Sequence, residues 1–298
     1  MVKSPVSLKT SVLIFVPYMW LVAYWFFVPS AVVIEGMGMD PSREHPAPYR
    51  LNGLKELLLC ICIYMPAYYY DMWEAMAMTG FGRVSVLLWL VLLIQVFKAP
   101  WGCLQGGLID LPCGILTIVA YYASSGSKTY ESRKGRSYPL PWTRNLVLLS
   151  GYLEGAYGVV LMVAPELIDG TFFNLSYSTL DSIQGSGVNH LALRSYGICT
   201  FVIGIFYIGW SIPVYMIQHM YLFIGAFHIL LFIGQSLMGI KGIVPQDCLE
   251  SERYFHLSAG FLIFLTLTLE TRALKHMGAK LVFNQGFLML DSDAKKMR

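Results

Sequence analysis

Ionisable side chains interrupt the apolar stretches of this chain, and those residues are where chemistry is expected. Glu154 lies between Leu153 and Gly155, with Tyr152 and Tyr157 near it. A carboxylic acid held neutral among apolar groups can donate a proton to a substrate oxygen. The competing role is a hydrogen bond to another helix. His228 sits at a similar depth in a later apolar stretch and is a candidate partner for Glu154, although a lone histidine on an apolar face is more often a core residue. Asp110 and His256 enter two further stretches, and a carboxylate and an imidazole both suit base chemistry. Glu252 precedes His256 by four residues, so the two share a helix face and Glu252 can fix the imidazole tautomer. Capping or anchoring at the membrane surface competes with a catalytic role, most of all for His256. Glu154, Asp110, His228 and His256 are therefore the expected catalytic residues.

A second set is expected to bind substrate: Arg50, Arg194, Glu56, Lys98, Tyr152, Tyr157 and Gln235. Arg50 and Arg194 lie near helix starts, where snorkelling is the simpler role. Their alternative is to hold Asp110, Glu56 or a loop carboxylate. Glu56 and Lys98 fall toward one end of their helices and form a candidate pair. Asp71 and Glu74 are expected in a solvated loop spanning 67–83.

Several chemistries find no support. There is no phosphate-binding glycine loop, no Ser-His-Asp order, no HExxH and no paired DxxxD acids. Six cysteines form no metal-type pair, and Cys60 and Cys62 stand two apart in an apolar run. No cofactor and no metal are expected. A net charge of +3 with no basic stripe argues against nucleic acid.

The elements that must position these residues are membrane helices. The chain has 298 residues, 56% hydrophobic and 13% charged, with a mean hydropathy of +0.57. Soluble domains carry about twice that charged fraction. Residues 12–34 and 195–218 hold charge-free runs long enough to span a bilayer. Eight helices are expected near 11–34, 51–70, 82–99, 106–124, 143–165, 189–212, 215–239 and 252–272. The fold class is thus all-α, with two tandem four-helix bundles at 1–123 and 142–276, a polar cytosolic linker at 124–141 and a cytosolic tail at 277–298. Fourteen of the 21 Lys and Arg residues fall on the side of the termini, which places both termini in the cytosol. The expected location is the endoplasmic reticulum membrane, with Asn174 in the one glycosylation sequon on the far side.

The two halves repeat. Arg50-x-x-Gly53 matches Arg194-x-x-Gly197, and Asp110-x-x-x-Gly114 matches His256-x-x-x-Gly260. Glu35-Gly36 matches Asp169-Gly170, Tyr18 matches Tyr152, and Cys103 roughly matches Cys248. The skeleton repeats while the chemistry differs: Trp20 stands opposite Glu154, and Lys98 opposite Gln235. An even number of spans per half gives both halves the same orientation. Repeated glycines are expected to let helices approach closely.

This unit, with Arg-x-x-Gly at its second helix and polar residues entering its fourth, resembles the four-helix membrane folds of the DoxX-like and emopamil-binding families. Its doubled, aromatic-rich form, with Glu154, Asp110 and His256 in the spans, is also similar to fungal membrane proteins of secondary metabolism. Those are the epoxide-opening cyclases of meroterpenoid pathways, which have seven spans, and the epoxide hydrolases of aurovertin- and citreoviridin-type polyethers. The polyether likeness implies intramembrane acids that protonate an epoxide in an apolar small molecule. The emopamil-binding likeness implies a sterol or lipid isomerase with the same acid–base groups. A transporter or lipid-binding protein is the third alternative, since parallel repeats and midplane charges also suit transport.

Overall fold

The structure, a computed structural model, describes residues 7–28, 31–40, 46–69, 73–123, 140–167, 191–211, 218–244, 250–276, 281–284 and 287–290. The linker at 124–139, Asn174, Asp169, Asp71 and Cys248 lie outside the described residues. The helices are α1 (Leu8–Phe27), α2 (Ala31–Gly36), α3 (Pro46–Leu59), α4 (Met65–Tyr69), α5 (Trp73–Phe97), α6 (Leu104–Ala123), α7 (Pro141–Val163), α8 (Leu191–Ser211), α9 (Gln218–Ile240) and α10 (Glu250–His276). Among the described residues, seven helices are long and apolar enough to cross a membrane: α1, α5, α6 with the turn before it, and α7 to α10. The chain is an integral membrane protein on that basis.

Residues 46–69 do not join those seven for a physical reason. They are helical, but Arg50, Lys55 and Glu56 lower their hydropathy, and a π turn at Cys60–Tyr64 separates α3 from α4. That turn closes on a hydrogen bond from Met65 N–H to Cys60 O, one residue longer than an α-helical step. Three further expectations change. The helix expected from residue 82 begins at Trp73, so Glu74 belongs to a helix rather than a loop. The first helix ends at Phe27, and the short α2 follows. Part of the expected tail is an antiparallel hairpin, with β1 (Leu281–Asn284) pairing with β2 (Phe287–Leu290) in the register Leu281 to Leu290.

Helices pack in pairs through glycines. The most extensive contact joins α7 to α8. A Cβ on Gly204 would lie 2.4 Å from Gly155 N, and one on Gly158 would lie 2.5 Å from Phe201 N. These backbones touch, and only glycine permits it. The glycines matched in sequence occupy corresponding contacts. Gly53 meets α1 at Ala23 and Phe27, while Gly197 meets α7 at Gly158 and Leu161. Gly114 meets Gly80 on α5, and Gly260 meets Gly225 on α9. Between pairs, α8 packs on α5, and α3 with its π turn packs on α9. Outward positions are apolar, among them Leu13, Leu88, Val96 and Leu269.

The start of α7 is held by α10. Pro141 opens α7, where its missing N–H costs nothing. The Glu270 carboxylate accepts from Trp142 N–H at 2.8 Å, Thr143 N–H at 3.0 Å and the Thr143 hydroxyl at 2.6 Å. An acid at a helix N-terminus satisfies orphan donors and complements the helix dipole. The contact also fixes the helix carrying Glu154 against the helix carrying Glu252 and His256.

Candidate functional site

Five helices converge on one buried polar centre. Lys55 comes from α3, Glu154 and Tyr157 from α7, Tyr196 and Thr200 from α8, His228 and Gln235 from α9, and Glu252 and His256 from α10. Lys55, Thr200, His228 and His256 are fully buried, and Glu154, Glu252 and Gln235 nearly so. Polar groups inside a membrane bundle persist only where they satisfy one another.

Glu252 is the hub. Its Oε1 receives Lys55 Nζ at 3.1 Å, Gln235 Nε2 at 3.2 Å, His256 Nε2 at 3.3 Å and the Tyr196 hydroxyl, and its Oε2 receives the Tyr157 hydroxyl at 3.2 Å. An ionised carboxylate is acceptor-only with about four lone-pair sites, and here five donors converge on it, four of them on Oε1. Lys55 in turn donates to Thr200 Oγ1 at 2.7 Å and sits 3.9 Å from the centroid of the Tyr196 ring.

The hub orients the two imidazoles. His256 must donate from Nε2, because the carboxylate can only accept. A neutral His256 then presents the Nδ1 lone pair to His228 Nδ1, 2.8 Å away. His228 Nε2 is buried and makes no hydrogen bond, and the His228 ring packs against the rings of Tyr207, Phe227 and Phe255. Glu154 Oε1 lies 3.5 Å from His256 Nδ1 and also makes no hydrogen bond. Glu154, His228 and His256 each offer one metal-ligating atom, and those atoms lie within 4.8 Å of one another.

Of the expected residues, the structure brings together Glu154, His228, His256, Tyr157 and Gln235. Asp110 belongs to a different group. It is half-buried on α6 and interacts electrostatically with Glu56, Tyr18 and Arg83. Glu56 does not pair with Lys98. It hydrogen-bonds the Cys199 thiol instead, and the exposed Lys98 donates to Gln95 O at 2.9 Å. Tyr152 is 57% exposed on the outer face of α7. Arg50 donates to Ile243 O at 2.8 Å, while the buried Arg194 donates to Met162 O and to Val163 O and covers the Phe97 ring.

Lys55, Tyr196 and Thr200 escaped sequence reasoning. Lys55 carried the clearest signal: an ionisable residue inside a helical stretch deserves the same suspicion as Glu154. Arg83, one of the fourteen basic residues expected on the side of the termini, is also buried. It donates to Thr117 Oγ1 at 3.2 Å and lies 3.5 Å from the Phe15 ring centroid. Metal-ligand spacing was invisible because the three groups come from three helices.

Comparison with protein-family models, curated proteins and solved structures gives no match.

Proposed function

We propose that the chain is a membrane enzyme that opens an apolar epoxide, giving hydrolysis or cyclisation onto an internal hydroxyl. The carrying observation is the centre itself: Glu154 and an imidazole pair meet deep inside the helices, with Glu154 Oε1 unbonded. Epoxide opening needs an electrophile at the ring oxygen and a base for the attacking O–H. In its simplest form the Glu154 carboxyl gives its proton to the oxygen as the C–O bond breaks. The imidazole pair takes the proton lost by the attacking water or hydroxyl. His256 Nδ1 reaches both Glu154 and His228, so that proton can return, and none is consumed overall. The polyether-type resemblance agrees with this chemistry.

Microsomes carrying the chain, given a polyene epoxide, should form the diol or cyclic ether. Loss of a general acid costs about 10²–10⁴-fold, and Glu154→Gln should fall in that range. Asp110→Asn should retain most of the rate. Wild-type turnover by Glu154→Gln would refute this assignment.

Residues 46–69 are read as the eighth span, which completes two four-helix units in the endoplasmic reticulum membrane with both termini cytosolic. The matched glycine contacts support the repeat. An endoglycosidase-sensitive band shift that vanishes in Asn174→Gln is the expected outcome. Glycan on an engineered C-terminal sequon would overturn the orientation.

A further inference from the structure

We infer that Glu154, His228 and His256 form a binding site for a divalent transition metal of the zinc type. It rests on the reading of this centre as the working one, and it changes the group that meets the substrate oxygen.

The donor set is one carboxylate and two imidazoles, from α7, α9 and α10. Those are borderline ligands of the kind Zn²⁺ takes. Their atoms are already near ligating separation. Zinc bonds of 2.0–2.2 Å in a tetrahedron put ligand atoms about 3.3 Å apart. Glu154 Oε1 to His256 Nδ1 is 3.5 Å, and the two Nδ1 atoms are 2.8 Å apart. The rings need to part by about half an ångström to admit the ion.

Two independent observations point to a ligand. Glu154 is 2% exposed, aims Oε1 at His256 Nδ1, and receives no hydrogen bond there. A proton shared between the two rings satisfies both Nδ1 atoms but leaves that oxygen unmet. The second observation is Glu252. It binds the far nitrogen of His256 at 3.3 Å, the carboxylate–histidine arrangement that turns the other nitrogen toward a metal and raises its basicity. Glu252 is not itself a competing ligand, because Lys55, Tyr196, Gln235 and Tyr157 occupy its oxygens. Lys55 matches the charge of Glu252, so the Glu154 charge remains to offset the ion.

Three protein ligands leave a fourth position open, as in catalytic rather than structural zinc sites. A substrate oxygen bound there would be polarised by the ion in place of the Glu154 proton.

The test uses the purified full chain in detergent, stripped with a chelator and dialysed against Zn²⁺ or Co²⁺ alone. Metal per chain is counted by elemental mass spectrometry, and Co²⁺ visible absorption reports coordination below six. Wild type should take up one ion. Glu154→Gln and His228→Phe should each weaken binding at least ~100-fold, and Glu252→Gln about 10–100-fold, all with wild-type helical circular dichroism. No zinc on folded wild type, or wild-type affinity in the Glu154→Gln/His228→Phe double variant, overturns the site. Full epoxide turnover by the stripped wild type overturns the metal's part and leaves the proposed function standing. Zinc held by these residues with no epoxide opened by the loaded chain does the reverse.

Discussion

Lys55 Nζ and Glu252 Oε1 meet at 3.1 Å with 0% and 3% of their side chains exposed. The lysine sits in a helix broken by a π turn, and the glutamate near the start of the last long helix. Burying such a pair costs desolvation that attraction repays only with further hydrogen bonds. Here Thr200, Tyr196, Gln235, His256 and Tyr157 supply them.

Breaking one side should therefore be worse than removing both. Lys55→Met leaves Glu252 charged and buried, and should lower stability by about 3–5 kcal/mol. The Lys55→Met/Glu252→Gln double variant should recover part of that loss. Thermal unfolding in detergent measures both, and strictly additive losses would argue against a coupled pair.

The α7–α8 contact predicts opposite outcomes for neighbouring glycines. A methyl on Gly204 meets backbone at 2.4 Å, whereas one on Gly155 meets nothing within 4 Å. Gly204→Ala should cost about 1–3 kcal/mol through overpacking. Gly155→Ala should be neutral or stabilise by about 0.5–1 kcal/mol through helix propensity. Equal melting temperatures in the two variants would contradict the packing.

Arg50 and Arg194 match in sequence yet should differ in consequence. Arg194→Met strips two carbonyls at the end of α7 of their donor in a buried setting, and should cost about 2 kcal/mol or more. Arg50→Met loses one bond at a less buried position, and should cost no more than about 1.5 kcal/mol. Parallel unfolding curves for the two variants decide the matter.

Glu270→Gln keeps the shape of the α7 cap but removes its charge. Three donors rely on that carboxylate, and the expected loss is about 0.5–2 kcal/mol. Hydrogen exchange should accelerate first at Trp142 and Thr143. An unchanged pattern there would show that the cap is not limiting.

Membrane helices were legible in sequence because apolar length is the one property a bilayer demands, and Leu8–Phe27 or Met220–Ile240 satisfies it without help. The 46–69 stretch was legible as a helix, but not as one interrupted at Cys60–Tyr64, since a π turn leaves no compositional trace. Glu154, His228 and His256 stood out because charge and imidazole are rare in spans. Their meeting depends on the relative rotation of α7, α9 and α10, which no local pattern encodes. Tyr152 misled because sequence nearness to Glu154 does not make a shared face: two residues apart on a helix point away from each other.

The contacts of Lys55 and Glu56 with α8 have a further meaning. In the register set by Arg50 and Arg194, Lys55 corresponds to Cys199 and Glu56 to Thr200. Lys55 bonds Thr200, and Glu56 bonds Cys199. Position i meets j′ and j meets i′, which is the arithmetic of an isologous interface between identical subunits. A homodimer of half-length chains would have to place lysine against glutamate twice and could never hold a single Glu154 beside a single imidazole pair. Covalent fusion lifts that restriction. Within one chain, Lys55 can supply the cation and Thr200 the hydroxyl, and matched positions come to enclose one asymmetric centre.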